Sequence, residues 1–270
     1  SGRVAWCQHL ERALVYSPAM LMEPAYTRRQ HPEQLCCGEE TTLTAEASSH
    51  LVKVLRTRPG SPIILFNGDG FDYQATTLDN NTRKTRVAIE TRIEKDNESN
   101  LDITLIQGLS RHDRMDATIQ KSIELGVNRI IPVLCQRSNA KLDASKREKK
   151  LSHWQKIAIS ACEQSGRSSI PDICEIIPLS DLCSQKDDWL HPDAERLLLD
   201  PESSTGLKNI DIKGSAVDIL IGPEGGLSEE EISQLSDSGF TRICFGPRIL
   251  RTETAGPAVI SALQTLWGDF

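Results

Sequence analysis

The sequence lacks the features that mark membrane-spanning, metal-binding and disulfide-stapled proteins. No apolar run approaches the roughly 18 residues that a membrane helix needs. The eight cysteines form no Cys-x-x-Cys pair, and the six histidines are not grouped at ligand spacing. We therefore expect no membrane span, no metal and no disulfide framework. We interpret most of the thiols as small core residues of a protein in the reducing cytoplasm.

Aromatic residues are also scarce, at 4% of the chain, whereas 38% of residues are hydrophobic and 26% are charged. With a mean hydropathy of -0.35, this composition excludes disordered, collagenous and coiled-coil proteins. A chain of 270 residues is long enough for two domains, since domains commonly hold about 100 to 200 residues.

The net charge of -7 argues against a nucleic-acid partner if only the total is considered. The distribution is uneven, because residues 111–156 carry a net +6 and residues 172–237 carry a net -12. Screening limits the reach of a charge to about 10 Å, so a local excess is a better guide to an anionic partner than the total. For the basic run at 146–150, a solvated helix face is an equally good explanation.

The first part of the chain is patterned as β-structure. We predict strands at Ile63–Phe66, Asp72–Thr77 and Val87–Glu90, a hairpin at Asn67–Gly70, and a helix over Glu46–Arg58 that Pro59 and Gly60 stop. The polar segment Asp96–Asn100 is typical of a linker. We therefore expect a small barrel-like domain over residues 20–95 and a second domain over 96–270. Residues 1–19 match no element and are expected to be an extension or a remnant of cloning.

In the second domain, predicted strands and helices alternate. The strands are Leu101–Ile106, Arg129–Leu134, Asp172–Ile177, Arg196–Leu199, Val217–Ile221 and Arg242–Phe245, and the helices are Arg114–Leu125, Ser145–Gln164, Asp181–Leu190, Ser228–Ser238 and Thr252–Trp267. This alternation predicts an open parallel sheet covered by helices on both faces. Ligands bind such sheets at the carboxyl ends of strands, which directs attention to the loops after Leu199, Ile221 and Phe245.

The loop after Ile221 reads Gly222-Pro223-Glu224-Gly225-Gly226, and Ser228 then begins a helix with Glu231 at capping-box spacing. Its glycines allow a backbone to approach a ligand closely. The loop lacks the lysine of a phosphate loop and the Gly-x-Gly-x-x-Gly of a dinucleotide fold, and its glutamates would repel phosphate. It favours main-chain recognition of a neutral adenine and ribose, although a tight turn before an ordinary helix cap explains it as well.

The loop after Phe245 contains Arg248 and Arg251, followed by Thr252-Glu253-Thr254 at the start of a helix. Two guanidinium groups offer planar forks of donors that suit an anion or the edge of a base. An ion pair between Arg251 and Glu253 at the helix start is the plainer alternative.

Four segments carry a family resemblance: Gln120–Val127, Ala161–Arg167, Gly222–Gly226 and Gly246–Ala255. In this order and spacing they resemble the RsmE family, which methylates N3 of a uridine in 16S ribosomal RNA. Leu51–Arg56 and Phe66–Gly70 look like the N-terminal domain of that family, so the resemblance extends from about residue 20 to the C-terminus.

The resemblance implies an α/β protein in which a small PUA-like, RNA-binding β-barrel precedes a SPOUT methyltransferase domain. The sheet of that domain is mostly parallel, and its C-terminal segment forms a deep trefoil knot. The resemblance also implies S-adenosylmethionine as the cofactor, 16S rRNA or the small ribosomal subunit as the partner, and a homodimer that completes the active sites.

The resemblance further implies roles for individual residues. The cofactor is expected against Leu198, Leu199, Ile221, Gly222, Pro223, Glu224, Gly225, Gly226, Phe245, Gly246, Ile249, Leu250 and Thr254, with the glycines leaving room for it. Arg248 and Arg251 are candidates to stabilise a uridine anion, and Arg167 to bind phosphate or the base. Glu163 or Glu253 would accept the proton or orient an arginine, and both options stay open. The predicted RNA contacts are Arg28, Arg29, Lys53, Arg56, Arg111 and Arg114, with part of the basic segment 111–156.

Two other functions would leave different features in the sequence. A catalytically silent RNA-binding assembly factor on the same scaffold would be expected to have lost the cofactor-binding glycines, which are intact. A phosphotransfer enzyme would need a phosphate-loop lysine or an acidic metal cluster, and the sequence has neither.

Overall fold

The structure is a computed structural model that describes residues 27–138 and 143–270. The predicted extension, residues 1–19, lies outside the described residues. The described chain divides into two units, residues 27–66 with 72–93 and residues 67–71 with 94–270. The boundary that the sequence indicates, after residue 95, lies two residues from this division. Within the described ranges, no helix is long and apolar enough to cross a membrane.

The first unit contains a five-stranded sheet. Its strands are β1 (Thr27–Gln30), β2 (Glu40–Thr42), β3 (Pro62–Phe66), β4 (Phe71–Thr77) and β5 (Arg86–Glu94), in the order β1-β3-β4-β5-β2. The predicted hairpin is confirmed, because β3 and β4 pair antiparallel with Leu65 opposite Tyr73. Strand β1 pairs parallel with β3. The sequence did not predict it, because Thr-Arg-Arg-Gln shows no alternation of apolar and polar residues.

The helix predicted over Glu46–Arg58 is shorter and less regular. Helix α1 (Ala45–Ser49) begins at Thr44, whose hydroxyl accepts from Ala47 N, and continues into a π-helical turn over His50–Val54. The wide turn closes where Leu55 N donates to His50 O at 3.0 Å. Arg56 then adopts φ 55°, in the left-handed region, which ends the helix four residues early.

The second unit is a seven-stranded parallel sheet between helices. Its elements are β6 (Asp102–Gly108), α2 (His112–Glu124), β7 (Arg129–Leu134), α3 (Ala144–Ser165), β8 (Asp172–Ile173), β9 (Ile177–Pro178), α4 (Leu179–Ser184), α5 (Lys186–Trp189), β10 (Glu195–Leu199), a 3-10 turn (Leu207–Asn209), β11 (Ala216–Ile221), α6 (Glu229–Asp237), β12 (Thr241–Ile243) and α7 (Thr252–Trp267). The strand order is β12-β10-β11-β6-β7-β8, with β9 also on β7, and each of these pairs is parallel. The predicted open parallel sheet is therefore confirmed.

The core of the second unit lies on both sides of its central strands. All six residues of β11 are buried, as expected for a parallel strand covered on two faces. Helix α2 packs against both α3 and α7. The close approach of α7 uses Gly256, where an added Cβ would lie 3.4 Å from Thr118 Cγ2. Cys135, Cys162 and Cys174 are buried free thiols, which confirms their interpretation as small core residues.

Several predicted elements have different bounds in the structure. The strand predicted over Asp172–Ile177 divides into β8 and β9, because Ile173 pairs with Ile130 but Ile177 pairs with Val133, which leaves one extra residue as a bulge. The helix predicted over Asp181–Leu190 breaks at Gln185, whose φ of -118° and ψ of 36° are not helical. Strand β12 ends at Ile243, so Phe245 lies outside the sheet.

Arg167 is a buried structural residue, with 4% of its surface exposed. Its guanidinium donates to the Glu98 carboxylate at 2.5 to 3.1 Å and to the main-chain oxygens of Ile123 and Val127 at 3.0 and 2.7 Å. These contacts tie the end of α2 to residue 98. Every nitrogen of the guanidinium is engaged inside the fold, so these contacts support a structural role and give no support to the predicted binding of phosphate or the base.

We predict that Arg167→Met destabilises the protein by about 3 kcal/mol, because Glu98 and two carbonyl oxygens lose their donor. Urea denaturation checks this value. Glu98→Gln is the matched control and should cost less, because an amide oxygen still accepts from the guanidinium. Unchanged stability in Arg167→Met together with lost activity would restore the base-binding role.

Candidate functional site

A cavity of about 810 Å³ opens at the carboxyl edge of the parallel sheet. Its walls come from the loops after β10 and β11, the segment between β12 and α7, and two arginines, Arg114 of α2 and Arg137 after β7. Small-molecule sites commonly measure roughly 300 to 1,000 Å³. The three loops that the sequence singled out therefore surround one cavity of suitable size for a cofactor.

Most of the residues predicted to bind the cofactor lie in this wall. They are Leu198, Leu199, Ile221, Gly222, Pro223, Glu224, Gly226, Phe245, Gly246, Ile249 and Leu250. Gly246 has φ 75°, and a Cβ added there would meet no protein atom within 4 Å, so this glycine leaves the wall open.

Two predicted cofactor contacts lie outside the wall. Thr254 is exposed on the first turn of α7, and its neighbour Thr252 lines the cavity instead. A Cβ added at Gly225 would lie 3.0 Å from both Cβ and O of Arg137. The glycine at 225 thus allows the loop after β7, residues 135–138 (the 137 loop), to approach, and its contact with the cofactor stays a prediction.

The Thr252 hydroxyl connects three of the segments at the cavity. It donates to Gly222 O at 3.1 Å and accepts from Gln107 Nε2 at 2.9 Å, and both Thr252 and Gln107 are buried. Next to Gln107, a Cβ added at Gly108 would lie 2.5 Å from Pro223 N. Strand β6 therefore supports the loop after β11 from behind and leaves no room for a side chain between them.

Arg114 stands between two glutamates. Its Nη1 donates to Glu224 Oε1 at 3.2 Å, and its Nε lies 3.7 Å from Glu253 Oε1. Arg111 N also donates to Glu224 Oε1, at 3.1 Å. Arg114 was predicted as an RNA contact, but the structure uses it to join the loop after β11 to the start of α7. Glu253 therefore faces Arg114, and the alternative of an Arg251–Glu253 pair is not what the structure shows.

The cavity wall carries charges of both signs. Arg248 and Arg251, the predicted stabilisers of an anion, are exposed in the segment before α7. Opposing carboxylates include Asp200, which Arg242 holds at 2.5 Å, and Glu229. A wall with four arginines and four carboxylates suits a zwitterionic ligand better than a polyphosphate.

The capping box predicted at Ser228 is confirmed. Glu231 N donates to Ser228 Oγ, and Ser228 N donates to Glu231 Oε2 at 2.8 Å. The second oxygen of Glu231 accepts from Gln136 N at 2.7 Å, so this buried glutamate also holds the 137 loop. Burial raises the pKa of Cys135 in the same loop to about 12, which leaves its thiol protonated and unsuited to act as a nucleophile.

Glu163, the other predicted proton acceptor, is half-buried near the end of α3 and does not line the cavity. Of the predicted RNA contacts, Arg111 is exposed at the start of α2, and Lys53 and Arg56 are exposed in the first unit.

The other two predicted RNA contacts in the first unit are engaged within it. Arg28 pairs with the buried Asp72, and its guanidinium lies 4.8 Å from the centre of the Phe66 ring. Arg29 bonds to the His50 ring. These contacts fix the two side chains, so we regard Lys53 and Arg56 as the better candidates for RNA contacts in this unit.

Several residues in or behind the cavity wall were not predicted from the sequence. Leu227 directly follows the predicted glycine loop, whereas Arg137 lies after β7, in a loop that the sequence analysis did not single out. Gln107 and Gly108, which support the wall from behind, follow the predicted end of a strand. A signal existed for Gly108, since a glycine directly after an apolar strand often marks close approach of another backbone.

Family models cover most of the chain. Residues 97–264 match a model described as RNA methyltransferase domain, and residues 43–78 match one described as RNA methyltransferase PUA domain. Among curated relatives, ribosomal RNA small subunit methyltransferase E of Buchnera aphidicola is 34% identical over 228 residues, which cover 84% of this chain and 88% of the relative. The protein of the same name from Bacillus subtilis is 32% identical and covers 83% and 89%.

Two solved structures resemble this one closely. The ribosomal RNA small subunit methyltransferase E of Neisseria gonorrhoeae, bound to S-adenosylmethionine, is 40% identical with a TM-score of 0.84, covering 91% of this chain and 99% of that one. A putative methyltransferase of Legionella pneumophila, also with bound S-adenosylmethionine, is 36% identical with a TM-score of 0.86, covering 92% and 100%. These likenesses confirm the α/β fold of the SPOUT class.

We predict that Thr252→Val destabilises the protein by about 1 to 3 kcal/mol, because Gly222 O and Gln107 Nε2 lose a buried partner. Thr252→Ser keeps the hydroxyl and should lose far less. Thermal denaturation of the two variants checks the difference. Little loss in Thr252→Val together with a larger loss in Thr252→Ser would mean that the methyl group, rather than the hydrogen bonds, stabilises this position.

Proposed function

This chain belongs to the family of RNA methyltransferases that includes ribosomal RNA small subunit methyltransferase E, and we propose that it methylates small-subunit rRNA with S-adenosylmethionine. The main support for this proposal is the cavity at the carboxyl edge of the sheet, which the Gly222–Gly226 loop and the segment before α7 enclose. A 40% identical relative of the same fold carries S-adenosylmethionine. Within this rRNA, we propose that the methylated atom is N3 of a uridine.

The residues at the cavity fit S-adenosylmethionine. Main-chain groups and small or apolar side chains, among them Gly222, Gly226 and Leu250, would hold an adenosine without a phosphate-binding lysine. The mixture of arginines and carboxylates suits the charged amino-acid end. When bound, this cofactor supplies an electrophilic methyl group on a sulfonium.

Arg248 and Arg251 would act on the substrate. A uridine N3 must lose its proton before its electron pair can attack a methyl group, and the negative charge then spreads to the ring oxygens. A guanidinium next to those oxygens favours the anion, because a positive charge is aimed where negative charge develops. Both arginines are exposed at the cavity, where an RNA base can reach them.

We assign Glu253 a positioning role through Arg114. One carboxylate oxygen lies 3.7 Å from Arg114 Nε, and the side chain is not part of the cavity wall. Its second oxygen is buried with no hydrogen-bond partner among the described residues. The sequence left open whether Glu253 accepts the proton or orients an arginine, and its contact with Arg114 supports the second role. The position of Glu163, outside the cavity wall, supports neither role for that residue.

The remaining proposals concern assembly. The first unit, with exposed Lys53 and Arg56, would bind RNA as a PUA-like domain.

We also propose a homodimer in the cytoplasm, where small subunits are found. Two apolar side chains at the end of the chain, Leu266 and Phe270, are 50% and 61% exposed and offer a surface for a second copy. Sedimentation equilibrium that gives only monomers at micromolar concentration would contradict the dimer.

The direct test of the function is incubation with labelled S-adenosylmethionine and small subunits that lack the modification, followed by mapping of the labelled nucleotide. We expect one labelled uridine, methylated at N3. Binding to subunits without any transfer would favour the catalytically silent assembly factor.

We predict that Arg251→Ala abolishes detectable methylation but leaves the affinity for S-adenosylmethionine within several-fold. The expected loss of rate is about 100-fold or more, as for removal of one group that stabilises an oxyanion. Calorimetry and the methylation assay measure the two effects separately. Loss of cofactor binding in this variant would show that Arg251 holds the cofactor instead.

A further inference from the structure

We propose that one face of α3 binds the phosphate backbone of the RNA substrate. This surface, the α3 basic stripe, consists of Lys146, Lys149, His153 and Lys156. The inference rests on the proposed function and extends it, because it narrows the predicted basic segment 111–156 to four residues on one face of one helix.

The members of the stripe share one side of the helix. Their spacings of three, four and three residues bring them onto one face. The stripe extends over about 15 Å, at 1.5 Å per residue. The opposite face of α3 is buried through Trp154, Ala158, Ala161 and Cys162.

Other basic residues of α3 are turned toward the protein and do not belong to the stripe. Arg147 donates to Ile176 O at 3.3 Å, and the Lys150 amine lies 5.6 Å from the centre of the Trp154 ring. Burial lowers the pKa of Lys150. The helix therefore separates its basic side chains into an inner pair that packs and an outer set that faces solvent.

Lys149 and Lys156 are exposed and have no partner among the described residues. The other two members have acidic neighbours, since Lys146 lies 3.1 Å from Asp143 and His153 lies 2.8 Å from Asp116. Glu148 is the one acid within the span of the stripe, and helical spacing places it off that face. A helix stabilised by its own surface charges would instead alternate signs at these spacings.

The position of the stripe connects it to the cavity. Helix α3 follows β7, whose carboxyl end lies at the same sheet edge as the cavity, and Arg137 of the intervening loop lines the cavity wall. The stripe therefore begins at the edge where a target base would enter. Lysine is a point charge without the planar fork that reads a base, so its partner is the phosphate backbone.

The test measures binding of small subunits at several salt concentrations for Lys149→Gln, Lys156→Gln and the double variant. Each removed phosphate contact should reduce the slope of log affinity against log salt by about 0.7 to 0.9. The double variant should bind roughly 3- to 10-fold more weakly at low salt. Its affinity for S-adenosylmethionine and its rate at saturating subunits should not change.

Lys213→Gln is the matched control, because Lys213 is an exposed lysine before the amino end of β11, at the opposite sheet edge. Variants of the stripe that keep the wild-type slope, as this control should, would overturn the proposal. So would a variant that loses affinity for whole subunits but not for an rRNA transcript, since that result indicates a protein partner. If the wild-type protein binds subunits but transfers no methyl group, the proposed function fails while the slopes still decide the stripe.

Discussion

A buried hydroxyl, Thr252 Oγ1, joins the segments that form the cavity. It bonds to Gly222 O of the loop after β11 and to Gln107 Nε2 of β6, and it stands at the first position of α7. The glycine loop and the arginine segment are distant in sequence and have no common strand. The Thr252 hydroxyl, which both donates and accepts, therefore links them from the buried side, and Gly108 allows the backbones of β6 and the glycine loop to come into contact.

The charged residues of the second unit have two different roles, since some hold loops together and others remain available to a substrate. At the cavity, Arg114 is neutralised by Glu224 and Glu253, so it holds the loops together, while Arg248 and Arg251 remain exposed for a substrate. Along α3, the basic residues divide into an inner pair that packs against the protein and the α3 basic stripe that faces solvent. The acidic total of the chain arises mainly from residues 172–237, which explains how a protein of net charge -7 can act on RNA.

The sequence predicted the parallel sheet and the location of the cavity because both depend on local patterns. Continuous apolar strands such as β11 and the glycine loop after it can be recognised without knowledge of distant contacts. The role of Arg167 could not be predicted in this way. Its partners, Glu98 and the carbonyl oxygens at the end of α2, lie 40 or more residues away, and an arginine in a family motif has the same appearance whether it is buried or exposed.

The same limit applies to β1 and to Gly225. A polar strand such as β1 forms only because β3 offers it an edge, and Gly225 is set by the approach of Arg137. In both cases the determining neighbour is remote in sequence. Local patterns therefore located the site, whereas the individual roles of its residues depended on tertiary contacts.

The central claim is that the cavity is a site for S-adenosylmethionine. Calorimetric titration of the protein with S-adenosylmethionine, and separately with ATP and magnesium, tests it most directly. We expect saturable binding of one S-adenosylmethionine per chain and no comparable binding of magnesium ATP. Absence of binding by S-adenosylmethionine, with tight binding of magnesium ATP, would contradict it.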